Sequence, residues 1–169
     1  MSASTRRAAL GAILAAPLAS VPATAALERT EYRTRLLIAY AEDRASRPIG
    51  IRARNGSIDE KAADLVQQRC WAIAKEVTAL PPPNTIEGLA LTALAAAILS
   101  EADDRDDPTV IAAAGLTRAV LAFTGTPLPI GFAGFGDEPD HRERDEAVHN
   151  AAGSLPAWAV EEAAKQRRV

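Results

Sequence analysis

Residues 57–99, SIDEKAADLVQQRCWAIAKEVTALPPPNTIEGLALTALAAAIL, decide the fold. Ser57-Ile58-Asp59-Glu60 sets a hydroxyl and a carboxylate three positions apart, the spacing of a capping box, so a helix is predicted to start at Ile58. Ala62, Val66, Cys70, Ile73, Val77 and Leu80 then recur in steps of three and four. That stripe lies on one helical face and carries the element to Leu80. Pro81-Pro82-Pro83 stops it, because consecutive prolines lack donors and hold the chain extended. Asn84 with Glu87 offers a second capping signal, and Ile86 to Leu99 is apolar nearly all round, the pattern of a helix enclosed by others. With no alternating stretch anywhere, the prediction is an all-α domain.

Working outward, Tyr32, Leu36, Ala39 and Tyr40 give an amphipathic first helix from Glu28 to about Arg47. Pro48, Gly50 and Asn55-Gly56 mark a loop after it. On the other side Ser100 to Pro108 turns the chain, with Asp107 as cap and Pro108 at the first helical position, where its missing donor is harmless. That helix is expected to reach about Phe123, ended by Gly125 and Pro127. Residues 126–140 hold three Pro and three Gly and are assigned to neither helix nor strand. Two short helices follow, about 141–152 and about 156–168, the second capped by Ser154. The expectation is a small single-domain helical bundle of four to five helices, with the Ile86–Leu99 helix inside.

Composition narrows the function. Of 169 residues 48% are apolar but only 4% aromatic, and Ala is the commonest residue, so the core is thin. One Cys excludes an internal disulfide and a thiolate zinc centre. The net charge of −3, with Arg scattered along the chain, argues against a nucleic-acid partner.

Residues 1–26 contain no acidic residue and read as a leader. Arg6 and Arg7 precede an apolar run over residues 8–19, and Ala23-Thr24-Ala25 supplies an A-x-A cleavage site. Adjacent arginines before an Ala/Gly-rich segment resemble a twin-arginine export signal, which predicts an exported chain, periplasmic or secreted, with residues 27–169 as the helical domain. The apolar run is about half the length a bilayer span needs and Pro17 interrupts it, so no stable transmembrane helix is expected. If the leader is accidental, the alternative is a cytoplasmic prophage accessory protein. The leader together with Pro83-Asn84-Thr85-Ile86-Glu87-Gly88-Leu89-Ala90 resembles a set of short bacterial and prophage proteins with a Pro-Ala-x-Thr-Leu-x-Gly-Leu-Ala segment. The resemblance implies no activity.

Few residues suggest chemistry. His141, Asp145, Glu146 and His149 are the metal candidates, since Glu146-Ala-Val-His149 is an E-x-x-H step. Eight helical residues rise roughly 12 Å, however, so His141 and His149 cannot share one ion, and a two-metal carboxylate centre needs a second such step. No metal and no cofactor are therefore expected. The acidic turn at Glu101, Asp103, Asp104, Asp106 and Asp107 lacks the Gly and Glu that an EF-hand loop requires, and suits the start of a helix dipole instead. Gly131-Phe-Ala-Gly134-Phe-Gly136 looks like a phosphate loop but follows no strand and has no Lys. Phe132 and Phe135 are expected either to plug the Ala-rich helices or to serve a binding loop. Cys70, on the apolar stripe, reads as a buried small hydrophobe.

Trp71 points away from the stripe of its helix, among Asp64, Gln67, Gln68 and Lys75. It is expected to be covered by another part of the chain or to contact a partner, as Trp is enriched where binding energy concentrates. These observations favour a non-enzymatic binding domain that takes a protein or a small ligand through Trp71, Phe132 and Phe135. The alternative from another class is a small metal-dependent or hydrolytic enzyme on the His141–His149 helix.

Overall fold

The structure, a computed structural model, describes residues 23–101, 107–136 and 138–167, with backbone only for 23–26 and 141. The described residues form six helices and no strand, an all-α architecture. They are α1 (Ala23–Arg52), α2 (Ile58–Thr78), α3 (Ile86–Leu99), α4 (Pro108–Thr124), α5 (His141–Asn150) and α6 (Ala157–Gln166). None of these helices is long and apolar enough to cross a membrane. Arg6 and Arg7 lie outside the described residues, whereas Ala23 and Ala25 fall in the first turn of α1.

α3 is the central element. Its buried side chains include Leu91, Leu94 and Ile98, which meet Leu36 and Tyr40 of α1, Ile73 and Val77 of α2, and Leu121 of α4 in one core. A smaller second core joins α6 to α2 through Ala62, Val66, Ala159 and Ala163, with Trp158 packed against it and the Arg69 guanidinium 4.9 Å from the Trp158 ring. α4 is packed lightly. Only Ala114 and Leu121 are buried on it, while Ile111, Leu116 and Phe123 are exposed.

Three local expectations are corrected. α1 does not stop at Arg47 but runs through Pro48 and Gly50 to Arg52. Proline forfeits the bond to the carbonyl four residues back, a loss that burial offsets here. Pro48 is fully buried, and Gly50 lies so close to α2 that a Cβ on it would come within 2.8 Å of the Ala63 Cβ. The Arg52 Nε also donates to the Pro48 carbonyl at 2.7 Å. At α3 the cap is Thr85, not Asn84: the Gly88 amide donates to the Thr85 hydroxyl oxygen at 3.1 Å, and Arg29 donates to the same oxygen at 2.8 Å. Finally, Ser154 does not cap α6, whose flanking residue is Pro156. The Ser154 amide instead donates to the Ala45 carbonyl at 2.8 Å and ties the chain back to α1.

Other signals act as expected. Ser57 accepts from the Glu60 amide at 3.2 Å, although the Glu60 carboxylate reaches back to Gly56 and not to Ser57. Asp107 accepts from the Thr109 amide at 2.7 Å, and Gly125 closes α4 in a left-handed conformation that lacks a Cβ penalty.

Candidate functional site

The residues singled out by sequence do not converge. Phe132 and Phe135 face the main core, their rings edge to face at 5.1 Å, with Phe135 enclosed and Phe132 at the wall of an open cavity beside Arg44 and Ile130. Trp71 is 41% exposed on the outer side of α2, and the 132–135 loop does not cover it. Cys70 is buried, and burial pushes its thiol up to about 12, far from the thiolate a nucleophile needs. On α5, His149 Nδ1 sits 3.6 Å from Asp145, while Glu146 pairs with Arg142 in solvent at 3.7 Å. The His141 side chain lies outside the described residues, as do Asp103, Asp104 and Asp106 of the acidic turn. Among the described residues no group of three or more His, Cys, Asp or Glu could hold a metal ion.

The glycine-rich loop does bind anions, but they are the chain's own carboxylates. Gly131, Gly134 and Gly136 all have positive φ, which turns successive amides inward. The Ala133 amide donates to Glu101 Oε1 at 2.6 Å, and the Phe135 and Gly136 amides donate to Glu138 Oε2 at 3.0 and 3.2 Å. Arg118 completes the Glu138 site at 2.8 Å and lies 4.5 Å from the Phe135 ring. Burial pushes the Glu138 carboxyl upward, yet the Arg118 bond and the amides outweigh it and hold it below the usual range.

Glu101 is the larger surprise. Read from sequence as one carboxylate of a solvated turn, it has a side chain only 2% exposed and anchors a buried network. Tyr40 donates to its Oε1 at 3.0 Å and Arg44 Nη1 donates to the same atom at 2.9 Å. Arg44 Nη2 reaches Asp43 Oδ2 at 2.8 Å, and Arg47 Nε reaches that oxygen at 3.3 Å. Two cations thus face two carboxylates across α1, the end of α3 and the 131–136 loop. Burial pushes both Asp43 and Glu101 above the usual carboxylate range, opposed by Arg47 and, at Glu101, by the Ala133 amide.

Asp43 and Arg47 also open onto a polar cavity of about 310 Å³ between α1, α2 and α5. From α1 come Asp43, Ser46 and Arg47, with Gly50 and Ile51 below them; from α2 come Glu60, Asp64 and Gln67 beside Ala63; His149 closes it from α5. Its wall therefore offers carboxylates, one guanidinium, one imidazole, an amide and a short apolar floor. The Ser46 hydroxyl donates to the Asp43 carbonyl at 2.9 Å within its own helix. Asp43 Oδ1, buried, receives no hydrogen bond from the chain.

Sequence reasoning missed Asp43, Arg47, Glu60, Asp64 and Gln67, although a signal for the first was present. The α1 stripe Leu36, Ala39, Tyr40 continues in the same steps to Asp43 and Ser46, so an acid stands where the periodicity demands an apolar residue. Compared with known proteins, the chain matches no family model, no characterised protein and no solved structure.

Proposed function

We propose that this chain is an exported, non-enzymatic binding domain that holds a small ligand in the cavity between α1, α2 and α5. The cavity carries this reading: about 310 Å³ is at the small end of ligand sites, and three helices bring polar groups to it over a short apolar floor. The buried Asp43, Arg44, Arg47 and Glu101 network beneath it supports the reading, because it fixes one wall in place before any ligand arrives. The test is a screen of the purified protein against a small-molecule library by ligand-observed NMR, followed by amide mapping. At least one compound class is expected to bind saturably at the amides around Asp64, Gln67 and His149, and to remain chemically unchanged. A library with no cavity binder overturns the proposal.

One observation favours an enzymatic alternative. His149 is the one imidazole among the described residues of the cavity wall, and Asp145 Oδ2 lies 3.6 Å from its Nδ1, so a carboxylate stands beside a group able to carry a proton. Conversion of a bound compound, abolished by His149→Ala, would establish that alternative.

Export rests on the Arg6-Arg7 leader with its Ala23-Thr24-Ala25 site. The mature protein is expected outside the cytoplasm with an N-terminus at Ala26 or Leu27, and Arg6→Lys with Arg7→Lys is expected to hold it inside. N-terminal sequencing of fractionated cells decides this: full-length protein confined to the cytosol would place the domain there.

A further inference from the structure

We propose that the outer face of α4 is where two copies of this chain meet, helix against helix and antiparallel, in a reversible dimer. The proposal is independent of the cavity reading, because no residue of α4 lines that cavity.

α4 has two apolar faces, and the monomer uses one. Ala114 and Leu121 are buried in the core, and among the described helices α4 packs against α3 alone. Ala112, Leu116, Ala119 and Phe123 recur in steps of four, three and four, which at 100° per residue gathers them within about 60° of arc on the side opposite those two. All four are exposed, Leu116 at 68% and Phe123 at 78%. A single exposed apolar residue needs no explanation, whereas a continuous stripe of them marks a contact surface.

The stripe fits itself. Along the helix it runs small, large, small, large, and a twofold axis reverses that order. With the axis between residues 117 and 118, Phe123 lies over Ala112 of the second copy and Leu116 over Ala119 of the second copy, so that every layer sets a large side chain against a small one. A twofold interface requires a patch that complements its own copy, and large residues seated on small ones let two helices approach closely.

Charge and the position of a glycine support the same occupant. Arg118 is the one charged residue of α4, and it turns away to Glu138 at 2.8 Å and to the Phe135 ring. The stripe therefore brings no like charges together across a twofold axis, and it offers no counter-charge to an acidic or basic partner. Gly115 borders the stripe, and a Cβ on it would meet nothing within 4 Å. Glycine in mid-helix is unfavourable relative to alanine, and nothing among the described residues of one chain requires it there; the close approach of a second backbone does. A pair of such stripes, each about 25 Å long, removes on the order of 1,000 Å² from water, the lower bound of a specific interface. A dissociation constant on the order of 10–100 μM follows.

The experiment is sedimentation equilibrium of the full-length protein over concentrations from about 1 to 500 μM, a range that brackets that constant. The mass is expected to rise from that of one chain to that of two. Leu116→Glu and Phe123→Glu should each weaken dimerisation about tenfold or more, since a carboxylate is buried twice in a symmetric pair. Both positions are exposed in the monomer, so the urea midpoint measured on dilute protein should stay unchanged. Register is read by oxidative cross-linking, with the buried Cys70 left in place. A mixture of Ala112→Cys and Phe123→Cys proteins is expected to form the mixed disulfide, and Ala112→Cys alone is not, because the twofold axis holds its two copies roughly 16 Å apart. A monomer at every concentration overturns the proposal, and so does a dimer that neither glutamate weakens. A cross-link in Ala112→Cys alone overturns the antiparallel arrangement. A lowered urea midpoint in both glutamate variants would show that another segment of the same chain, such as the apolar run at residues 8–19, covers the stripe, and would overturn the second copy as its occupant.

Discussion

Glu101→Ala is expected to lower the unfolding free energy by about 3–5 kcal/mol, because it removes one carboxylate of a buried ion network and takes a partner from each group that it held. Arg44, whose side chain is 9% exposed, loses its 2.9 Å contact, Tyr40 loses the acceptor of its hydroxyl, and the Ala133 amide loses a 2.6 Å bond. Each of these groups was desolvated on folding and would stay so. Denaturant unfolding measures the effect, and the comparison that gives it meaning is Glu76→Ala. Glu76 meets Arg35 at 3.3 Å with both side chains about half exposed, and truncating it should cost less than about 1 kcal/mol. Equal losses at the two sites would mean that water reaches Glu101 and that the network is not a buried one. Glu101→Gln separates charge from hydrogen bonding: it keeps an acceptor for Tyr40 and Ala133 but loses the ionic pairing, so an intermediate loss is expected.

The second large effect is expected at Phe135. Phe135→Ala should cost about 3–5 kcal/mol, the range for truncating an enclosed aromatic ring. The ring is 3% exposed, packs edge-on against Phe132 and lies under the Arg118 guanidinium, so no neighbour can collapse into the space it leaves without moving the loop. Trp71→Ala, a larger truncation by volume, should cost no more than about 1 kcal/mol, since the indole is 41% exposed on a polar face. The urea midpoints of the two variants decide between them. A Trp71 variant as unstable as the Phe135 variant would show that another segment covers the indole in solution.

These two residues show where sequence reading succeeds and where it stops. That Phe132 and Phe135 sit in a Gly-rich stretch between Ala-rich helices was enough to suggest that they plug the core, because small side chains leave room for rings. What the same stretch could not disclose is the partner of its amides. Three glycines of positive φ orient those amides, but Glu101 and Glu138 arrive from 32 and three residues away, and only the tertiary fold brings Glu101 there. The candidate cavity was illegible for the same reason. Asp43, Asp64 and His149 belong to three helices, and no local pattern links them.

By itself the sequence determined the helices that carry a strong local signal. The capping chemistry at Ser57 and Asp107, the apolar stripe of α2, the proline run after it and the all-round apolar α3 each act within a turn or two of their own position, so they operate whatever the rest of the chain does. Tertiary structure decided the rest, wherever a distant contact outweighs a local preference. Pro48 and Gly50 read as a break, yet α1 continues through both because burial against Ala63 offsets the lost hydrogen bond. Glu101 reads as part of an acidic turn and Asp43 carries no local signal beyond its place on the α1 stripe, yet two arginines from α1 and an amide from a distant loop hold both inside. Such exchanges of local for global stability leave no periodic trace, since the groups that compensate one another meet only after the chain has folded.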